Sequence, residues 1–579
     1  MRKTIEAHLE EHKEKGISLL KKGRTGIVRM LFGRTGLIIL LLVAQAAVLF
    51  GAFWKFSEFL PHYYGVTAIF TAVMIMVLLN ARHDPTSKIT WLIIITLVPM
   101  FGGLLYLFTM SDLGHRALKK RMNEILAGSR TRCRQEEQVF RELDHFDPGA
   151  AGLASYLRRV GNFPVYHHTS TDYFPLGEDK FRRMLEALEQ ARSFIFLEYF
   201  IVEEGTMWGQ ILEILARKAG EGVDVRLMYD GTCEFARLPR SYPEKLRKLG
   251  IKCQVFAPLR PFLSTHYNYR DHRKILVIDG HTAFTGGVNL ADEYINQRPR
   301  FGHWKDTAVE IRGDAVRSFT LMFLQMWGLP HKNMEYDRFL SAPTHGDPRA
   351  PGYVIPYGDC PLDDERVGQQ VYMDILNRAK HYVHIMTPYL ILDGEMENAL
   401  KFAAARGVDV ELILPGIPDK KAPYALAKTH YPSLMESGVK IFEYTPGFVH
   451  AKEFVCDDRE AVVGTINLDY RSLYHHFECA VYMYRTGCIR DIEADFRETR
   501  SRCRRVTRET CRNEKKTTKL IGHALKGIAP LLSKGKRENE EKYSVYLRRP
   551  VAGRLSGLRR SSGCADAQSG RPGSGRPAL

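Results

Sequence analysis

The sequence predicts an α/β protein made of two duplicated α/β/α units that share one active site, preceded by transmembrane helices. Three observations lead to this class. Strand-like and helix-like runs alternate through the middle of the chain, these runs recur in the same order, and long apolar stretches precede them. Such alternation favours parallel-type sheets covered by helices. The 579 residues are 45% hydrophobic and 26% charged, a composition that excludes a mainly disordered, collagen-like or disulfide-scaffold protein.

Three apolar runs follow the basic N-terminal segment, residues 1–34. They are Thr35–Phe53, Tyr63–Leu79 and Ile89–Met110. Because about 20 apolar residues cross a bilayer, residues 35–110 are predicted to be a membrane-spanning region of two or three helices. This predicts a multi-pass protein of the cell membrane. The second run is short enough to be a tilted or re-entrant segment instead, and a buried core helix is the alternative for each run.

The duplicated units are recognised by an ordered series of matches. In the first unit a strand-like run, Ser193–Val202, precedes a helix near Met207–Ala219. In the second unit the run Tyr382–Leu392 precedes a helix at Gly394–Ala405. The tetrapeptide Gly-Val-Asp-Val follows in both units, at 222–225 and at 407–410. A single echo would be weak evidence, but a series in one register indicates duplication.

One short motif, His-x-Lys-x4-Asp, occurs at the same place in each unit. An Asn stands seventeen residues after each His, and an acidic residue follows further on. The first unit supplies His272, Lys274, Asp279, Asn289 and Asp306, and the second supplies His450, Lys452, Asp457, Asn467 and Glu478. Two aligned copies of such a motif are very rarely produced by chance.

These residue types suit the chemistry of a phosphodiester. Side chains two apart on a strand share a face, so two facing strands would bring both His and both Lys into one pocket. One imidazole would attack phosphorus, and the other would protonate the leaving alkoxide. The Lys and Asn side chains would stabilise the phosphate oxygens, and an acid would orient each His. No metal or cofactor is expected, because the cations are built in and the ten cysteines form no Cys-x-x-Cys pair.

The paired motif resembles the signature of the phospholipase D superfamily over roughly residues 165–500. The runs 284–294 and 463–473 are similar to the motif tails of bacterial cardiolipin synthases, and Asp84-Pro85 and Gly102-Gly103 to their N-terminal segment. The resemblance implies two phospholipase D-type units. It also implies a phosphatidyltransferase that makes cardiolipin and glycerol from two phosphatidylglycerol molecules through a phosphatidyl-histidine.

The same resemblance implies roles for single residues. His272 would be the nucleophile and His450 the acid and base, although the near-symmetric motifs alone leave the two roles open. Glu478 and Asp306 would orient the histidines, and Asp279 and Asp457 would support the strand ends. The alternatives are a hydrolytic phospholipase D, a transferase with another headgroup or acceptor, a membrane-tethered nuclease and a non-enzymatic lipid adaptor.

The net charge of +17 is concentrated at the chain ends. Residues 1–34 carry a net +5 and residues 533–579 a net +7, which leaves +5 for the residues between them. We therefore expect anionic membrane lipids as partners and no nucleic acid. The predicted domains begin with a basic segment (1–34), a membrane region (35–110) and a linker (111–161). The two halves of the catalytic body follow (162–345 and 346–500), and then a basic amphipathic segment (501–532) and a disordered basic tail (533–579).

The amphipathic segment, 501–532, has two interpretations. Its apolar residues recur at helical spacing among lysines, which suits a helix lying on an anionic membrane. The alternative is a helix packed on the catalytic body.

Overall fold

The computed structural model describes residues 60–81, 85–110, 116–258, 269–331, 334–363 and 365–529. The basic segment 1–34, the first apolar run Thr35–Phe53 and the basic tail 533–579 lie outside the described residues.

Three apolar helices come first in the described chain, at α1 (Leu60–Asn80), α2 (Pro85–Leu97) and α3 (Pro99–Met110). They pack together through buried side chains of Met74, Leu78, Trp91, Ile95 and Tyr106. The third apolar run is therefore not one helix. It breaks at Pro99, because proline lacks the amide hydrogen of a continuing helix and is tolerated where a new helix begins.

The prediction of transmembrane helices is not supported by the described helices. None of the helices in the described ranges combines the length and the apolar character needed to cross a bilayer.

Residues 111–161, taken as a linker from sequence, hold three helices in their described part. They are α4 (Arg116–Ser129), α5 (Glu137–Phe146) and α6 (Pro148–Gly161). The last two pack into the core of the second half, where Leu143 and Leu157 are fully buried.

The first half is built on a sheet with seven strands in the described residues, in the order β1-β9-β7-β6-β2-β3-β4. The run β2-β3-β4 is parallel, and the remaining pairs are antiparallel. The strands are β1 (Thr169–Phe174), β2 (Phe194–Tyr199), β3 (Asp224–Asp230), β4 (Lys252–Phe256), β5 (Arg270–Asp271), β6 (Lys274–Ile278), β7 (Thr282–Gly286), β8 (His303–Lys305) and β9 (Ala308–Gly313). The helices are α7 (Gly177–Glu189), α8 (Thr206–Gly220), α9 (Cys233–Ala236), α10 (Tyr242–Lys248), a 3-10 turn (Asp292–Ile295), α11 (Val316–Trp327) and α12 (Tyr336–Leu340).

The second half repeats this plan, with the parallel run β11-β12-β13 beside antiparallel strands. The strands are β10 (Tyr353–Asp359), β11 (Tyr382–Met386), β12 (Asp409–Pro415), β13 (Lys440–Tyr444), β14 (Gly447–Val449), β15 (Glu453–Cys456), β16 (Glu460–Gly464), β17 (His476–Tyr484) and β18 (Cys503–Arg505). The helices are α13 (Val367–Arg378), α14 (Gly394–Ala405), α15 (Lys421–Lys428), α16 (Tyr431–Glu436), α17 (Tyr470–His475), α18 (Ile489–Ser501), α19 (Arg508–Asn513) and α20 (Lys516–Ile528). The duplicated α/β architecture predicted from sequence is confirmed.

Two short strand pairs join the halves. Strand β5 of the first half pairs in parallel with β17 of the second, and β14 of the second pairs in parallel with β8 of the first. Each pair stands directly before a motif histidine, because β5 ends at Asp271 and β14 ends at Val449.

Each motif aspartate directly follows the strand that comes after its histidine. The Asp279 carboxylate accepts hydrogen bonds from the backbone N–H groups of Arg192, Ser193 and Phe194, at 2.7–2.8 Å. Asp457 repeats this contact in the second half with the N–H groups of residues 380–382, at 2.8–2.9 Å. Each aspartate therefore fixes the start of the neighbouring strand, β2 or β11.

Replacing either aspartate is expected to lower stability. In Asp457→Asn the backbone N–H groups lose a charged acceptor, so the free energy of unfolding should fall by roughly 2 kcal/mol. Asp279→Asn should behave in the same way. Thermal or denaturant unfolding checks this, with Glu186→Gln as the control, because the Glu186 side chain is 57% exposed and bonds only Arg183. Equal stability of all three variants would contradict the proposed strand anchoring.

Candidate active site

Each motif histidine lies just before a strand and is held by the backbone of the other half. The His272 N–H donates to the carbonyl of Phe477 at 2.9 Å, and the His450 N–H donates to the carbonyl of Lys305 at 2.7 Å. The sequence placed His and Lys together inside a strand, and this detail was wrong. The backbone N–H of each motif histidine is already bonded to the other half. Strand β6 therefore begins only at Lys274, and β15 begins after Lys452.

The acids that orient the histidines are exchanged between the halves. His272 Nδ1 lies 2.9 Å from a carboxylate oxygen of Glu478 in the second half. His450 Nδ1 lies 2.7 Å from Asp306 Oδ2 in the first half. Both carboxylates are fully buried. Because Nδ1 is engaged on each ring, Nε2 is the nitrogen free to meet a ligand.

Neighbouring donors fix the two carboxylates. Glu478 accepts hydrogen bonds from the hydroxyls of Thr465 and Ser472. Asp306 accepts from the backbone N–H of Thr307 at 2.9 Å, and the Trp304 indole N–H points at it from 3.5 Å. Each histidine is thus held by a carboxylate that is itself held in place.

The two motif lysines are almost completely buried beside the histidines. Lys274 Nζ donates to the carbonyl of His272 at 2.6 Å, and Lys452 makes the same bond to His450. Burial lowers the pKa of Lys274 to about 8 and that of Lys452 to about 7, although nearby carboxylates oppose the shift. Burial therefore lowers the pH at which these two lysines lose their positive charge.

The pocket lowers the pKa of both motif histidines. Burial, together with the charges of Lys274 and Lys452, lowers the pKa of His272 well below its usual value. Burial and Lys452 lower the pKa of His450 to about 4, against the opposing effect of Asp306. A bound anion would reverse part of both shifts.

The two motif asparagines are buried in the same region but differ in their contacts. Asn289 Oδ1 accepts from the Ile201 N–H at 3.0 Å, and its amide nitrogen donates to the Tyr294 hydroxyl at 2.8 Å. The amide oxygen of Asn467 is buried and has no hydrogen-bond partner among the described residues. Their binding of phosphate oxygens stays a prediction.

The motif aspartates do not reach this pocket. Asp279 and Asp457 each follow their histidine by seven residues along an extended strand, a separation of roughly 20 Å. From sequence they count with the catalytic motif and are expected to support the strand ends, and the structure places them at those strand ends, outside the pocket. The pocket brings together the other eight predicted residues.

Sequence reasoning missed a third histidine. The ring of His476 lies 5.2 Å from that of His272, and its Nδ1 lies 3.5 Å from Glu478. A signal was present, because His476 precedes Glu478 by two residues and so shares its face of a strand.

Aromatic rings that the motif does not reveal wall the pocket. Phe200 lies 4.9 Å from His272, and Trp304, Tyr294 and Phe448 lie 5.3–5.8 Å from His450, measured between ring centroids.

His272, His476 and Glu478 also have the spacing of a metal site. Their ligand atoms lie within 4.8 Å of one another. However, the His272 Nδ1 is already bonded to Glu478, and the Lys274 and Lys452 charges act on the same ring. The electrostatics of the pocket therefore fit an anion better than a cation.

Comparisons with known proteins agree with this geometry. A family described as cardiolipin synthase, PLD-like domain, matches residues 184–327 and 372–500, and one described as phospholipase D-nuclease N-terminal matches residues 69–109. An uncharacterized protein of Streptococcus mutans is 56% identical over 79% of this chain and 99% of its own. A cardiolipin synthase of Halalkalibacterium halodurans is 32% identical over 86% of this chain and 99% of its own.

A solved structure supports the fold. The crystal structure of a phosphatidylserine synthase from Haemophilus influenzae superposes with a TM-score of 0.51 at 15% identity, covering 66% of this chain and 98% of that one.

His476 should make stability depend on pH. Burial lowers its pKa to about 3, although Glu478 opposes the shift. The unfolded chain takes up a proton near pH 6.5 and the folded chain does not, so stability is lost as pH falls below 6.5. Between pH 7 and pH 5 the free energy of unfolding of the wild type should fall by roughly 2 kcal/mol more than that of His476→Asn. Thermal unfolding at both pH values checks this, with the exposed His145→Asn as the control. An equal loss in all three proteins would show that His476 is charged when folded.

Proposed function

The chain belongs to the cardiolipin synthase family of phospholipase D-like proteins and is an enzyme of that type, and we propose that it converts two phosphatidylglycerol molecules into cardiolipin and glycerol. One observation carries the proposal. Two histidines, each held at Nδ1 by a carboxylate from the other half, share a buried pocket with two lysine ammonium groups. This is the equipment for a double displacement at a phosphodiester.

In the first step His272 acts as nucleophile. Its neutral imidazole attacks phosphorus through Nε2, and the bond from phosphorus to the glycerol oxygen breaks. His450 takes up a proton from solvent when the anionic substrate binds, and it gives this proton to the leaving alkoxide, so that glycerol departs. The phosphatidyl group remains bonded to His272.

In the second step the roles of acid and base reverse at His450. The terminal hydroxyl of a second phosphatidylglycerol gives its proton to His450 and attacks phosphorus. The phosphorus–nitrogen bond breaks, cardiolipin leaves, and both histidines return to their starting state. No electrons are exchanged, and the proton balance closes over the cycle.

The lysines supply the charge that both steps need. Lys274 and Lys452 would hold the phosphate oxygens, with the Asn289 and Asn467 amides beside them. The bound phosphate brings a negative charge next to His450 and so raises the pKa of that imidazole above its value in the empty site. Substrate binding would therefore prepare His450 to act as an acid.

A membrane location follows from the substrates. Both are lipids, and α1, α2 and α3 expose apolar side chains such as Ile69, Leu97 and Leu104. We propose that these helices keep the enzyme at the cell membrane. A hydrolytic phospholipase D, or a transferase with another acceptor, would use the same residues and differ only in product.

Supplied with phosphatidylglycerol alone, the purified enzyme should form cardiolipin and glycerol in equal amounts. His272→Ala and His450→Ala should each lower the rate by roughly a thousandfold or more, because each removes a group used in both steps. Mass spectrometry of the lipids and an assay of free glycerol check this, with His145→Ala as the control. Phosphatidic acid as the main product would indicate hydrolysis, and activity in either active-site variant would contradict the shared pocket.

The nucleophile is identified by the position of the phosphatidyl group. Enzyme denatured at neutral pH during turnover should carry it on the peptide containing His272. A group on the His450 peptide would reverse the two roles.

The alkaline side of the pH profile should report the lysines. Since kcat/KM reflects the free enzyme, it should fall as Lys452, with a pKa of about 7, and Lys274, with a pKa of about 8, lose their charges. Lys452→Arg keeps its charge at all these pH values and should move the fall to about pH 8. Rates measured from pH 6 to 9.5 check this. An unchanged profile in Lys452→Arg would mean that Lys452 does not bind the phosphate.

A further inference from the structure

The C-terminal helix α20 presents three different faces. Gly522, Leu525 and Ala529 form the packed face, and they lie against the core of the second half. Leu520 and Ile521 form an apolar face that is 73% and 50% exposed. Lys516, Lys519 and Lys526 form a basic flank between the other two faces, as the helical period of 3.6 residues requires. The packed face agrees with the interpretation of this segment as a helix on the catalytic body, and the apolar face stays exposed.

The packed face connects α20 to the rim of the active site. Gly522 lies so close to α15 that a Cβ there would collide with the carbonyl oxygen of Ala425. The loop that leads into α15 bonds strand β14, because the Ile417 N–H donates to the Gly447 carbonyl at 3.1 Å. Gly447 opens β14, which ends one residue before His450.

The basic flank borders a cavity of about 390 Å³ between α20, α19, α15 and α16. Lys519, His523, Arg508 and Arg512 line it together with Lys428, Glu436 and Glu514. Glu514 is already paired with Lys428, at 3.3 Å. The cavity thus offers mainly positive charge beside an exposed apolar face.

We propose that α20 docks the catalytic body onto an anionic bilayer, with Leu520 and Ile521 among the lipid chains and the basic flank against lipid phosphates. Exposed apolar side chains next to several lysines match the two layers of an anionic membrane surface. A second copy of this chain carries a net charge of +17, so it complements the basic flank less well than an anionic bilayer does. This inference concerns membrane binding and does not depend on the proposed reaction.

Labelling of a single introduced cysteine tests the contact. Full-length Leu520→Cys is mixed with vesicles of phosphatidylcholine, or of phosphatidylcholine with phosphatidylserine, and treated with a membrane-impermeant maleimide. Peptide mass spectrometry reads position 520 separately from the native cysteines. Phe402→Cys on α14 is the matched control, because Phe402 is apolar and 55% exposed, and the cation beside it is Arg406 stacked on its ring in place of a flank of three lysines.

We expect labelling at position 520 to be at least fivefold slower on the anionic vesicles, and labelling at position 402 to change less than twofold. Adding Lys516→Gln and Lys526→Gln to Leu520→Cys should restore fast labelling. Equal rates at position 520 on both vesicles would overturn the proposal. If labelling at position 520 slowed as the protein concentration rose in the absence of lipid, the apolar face would bind a second copy of the chain and not a bilayer. Phosphatidylserine is anionic but is not the proposed substrate, so failure here and failure of the reaction are separate outcomes.

Discussion

A buried carboxylate from each half holds the histidine of the other half, and the rest of the structure depends on these two exchanged pairs. Glu478 reaches His272 across 206 residues of sequence, and Asp306 reaches His450 across 144. Neither half alone contains a histidine together with the acid that orients it. The strand pairs β5–β17 and β8–β14 join the two sheets, so that each histidine can reach the carboxylate of the other half. The duplication thus produces one shared site in place of two separate ones.

Burial gives this site its electrostatic character. Two lysines and two histidines taken out of water lose solvation, which lowers the pKa of every one of them. An anionic ligand would restore part of the lost stabilisation, as the proposed phosphodiester substrate would do. The same burial lowers the pKa of His272, which favours the neutral imidazole that its proposed role as nucleophile requires. Because the hydroxyls of Thr465 and Ser472 bond Glu478, the carboxylate stays aimed at the ring whatever the ligand does.

The sequence revealed the parts of this arrangement that are local and repeated. The ordered matches between the halves predicted the duplicated α/β fold, and the motif spacing predicted the His, Lys, Asn and acid side chains that meet in the pocket. It could not reveal which acid serves which histidine, because that depends on pairing between strands far apart in the chain. It also could not reveal which backbone N–H groups Asp279 and Asp457 bind, since such contacts leave no side-chain pattern. The break at Pro99 was readable, because proline inside an apolar run already indicates a helix end.

A phosphatidyl-histidine exposed to bulk water would be hydrolysed, so transfer to a lipid requires that a lipid hydroxyl reach it first. The histidines lie beside four aromatic rings, those of Phe200, Tyr294, Trp304 and Phe448. Contact between the pocket rim and a bilayer would raise the local concentration of the lipid acceptor far above its bulk value. Helix α20 packs on α15. The loop before α15 bonds β14, the strand that precedes His450. Docking through α20 would therefore act on the choice between water and lipid, which is the choice that separates a synthase from a hydrolase built on the same residues.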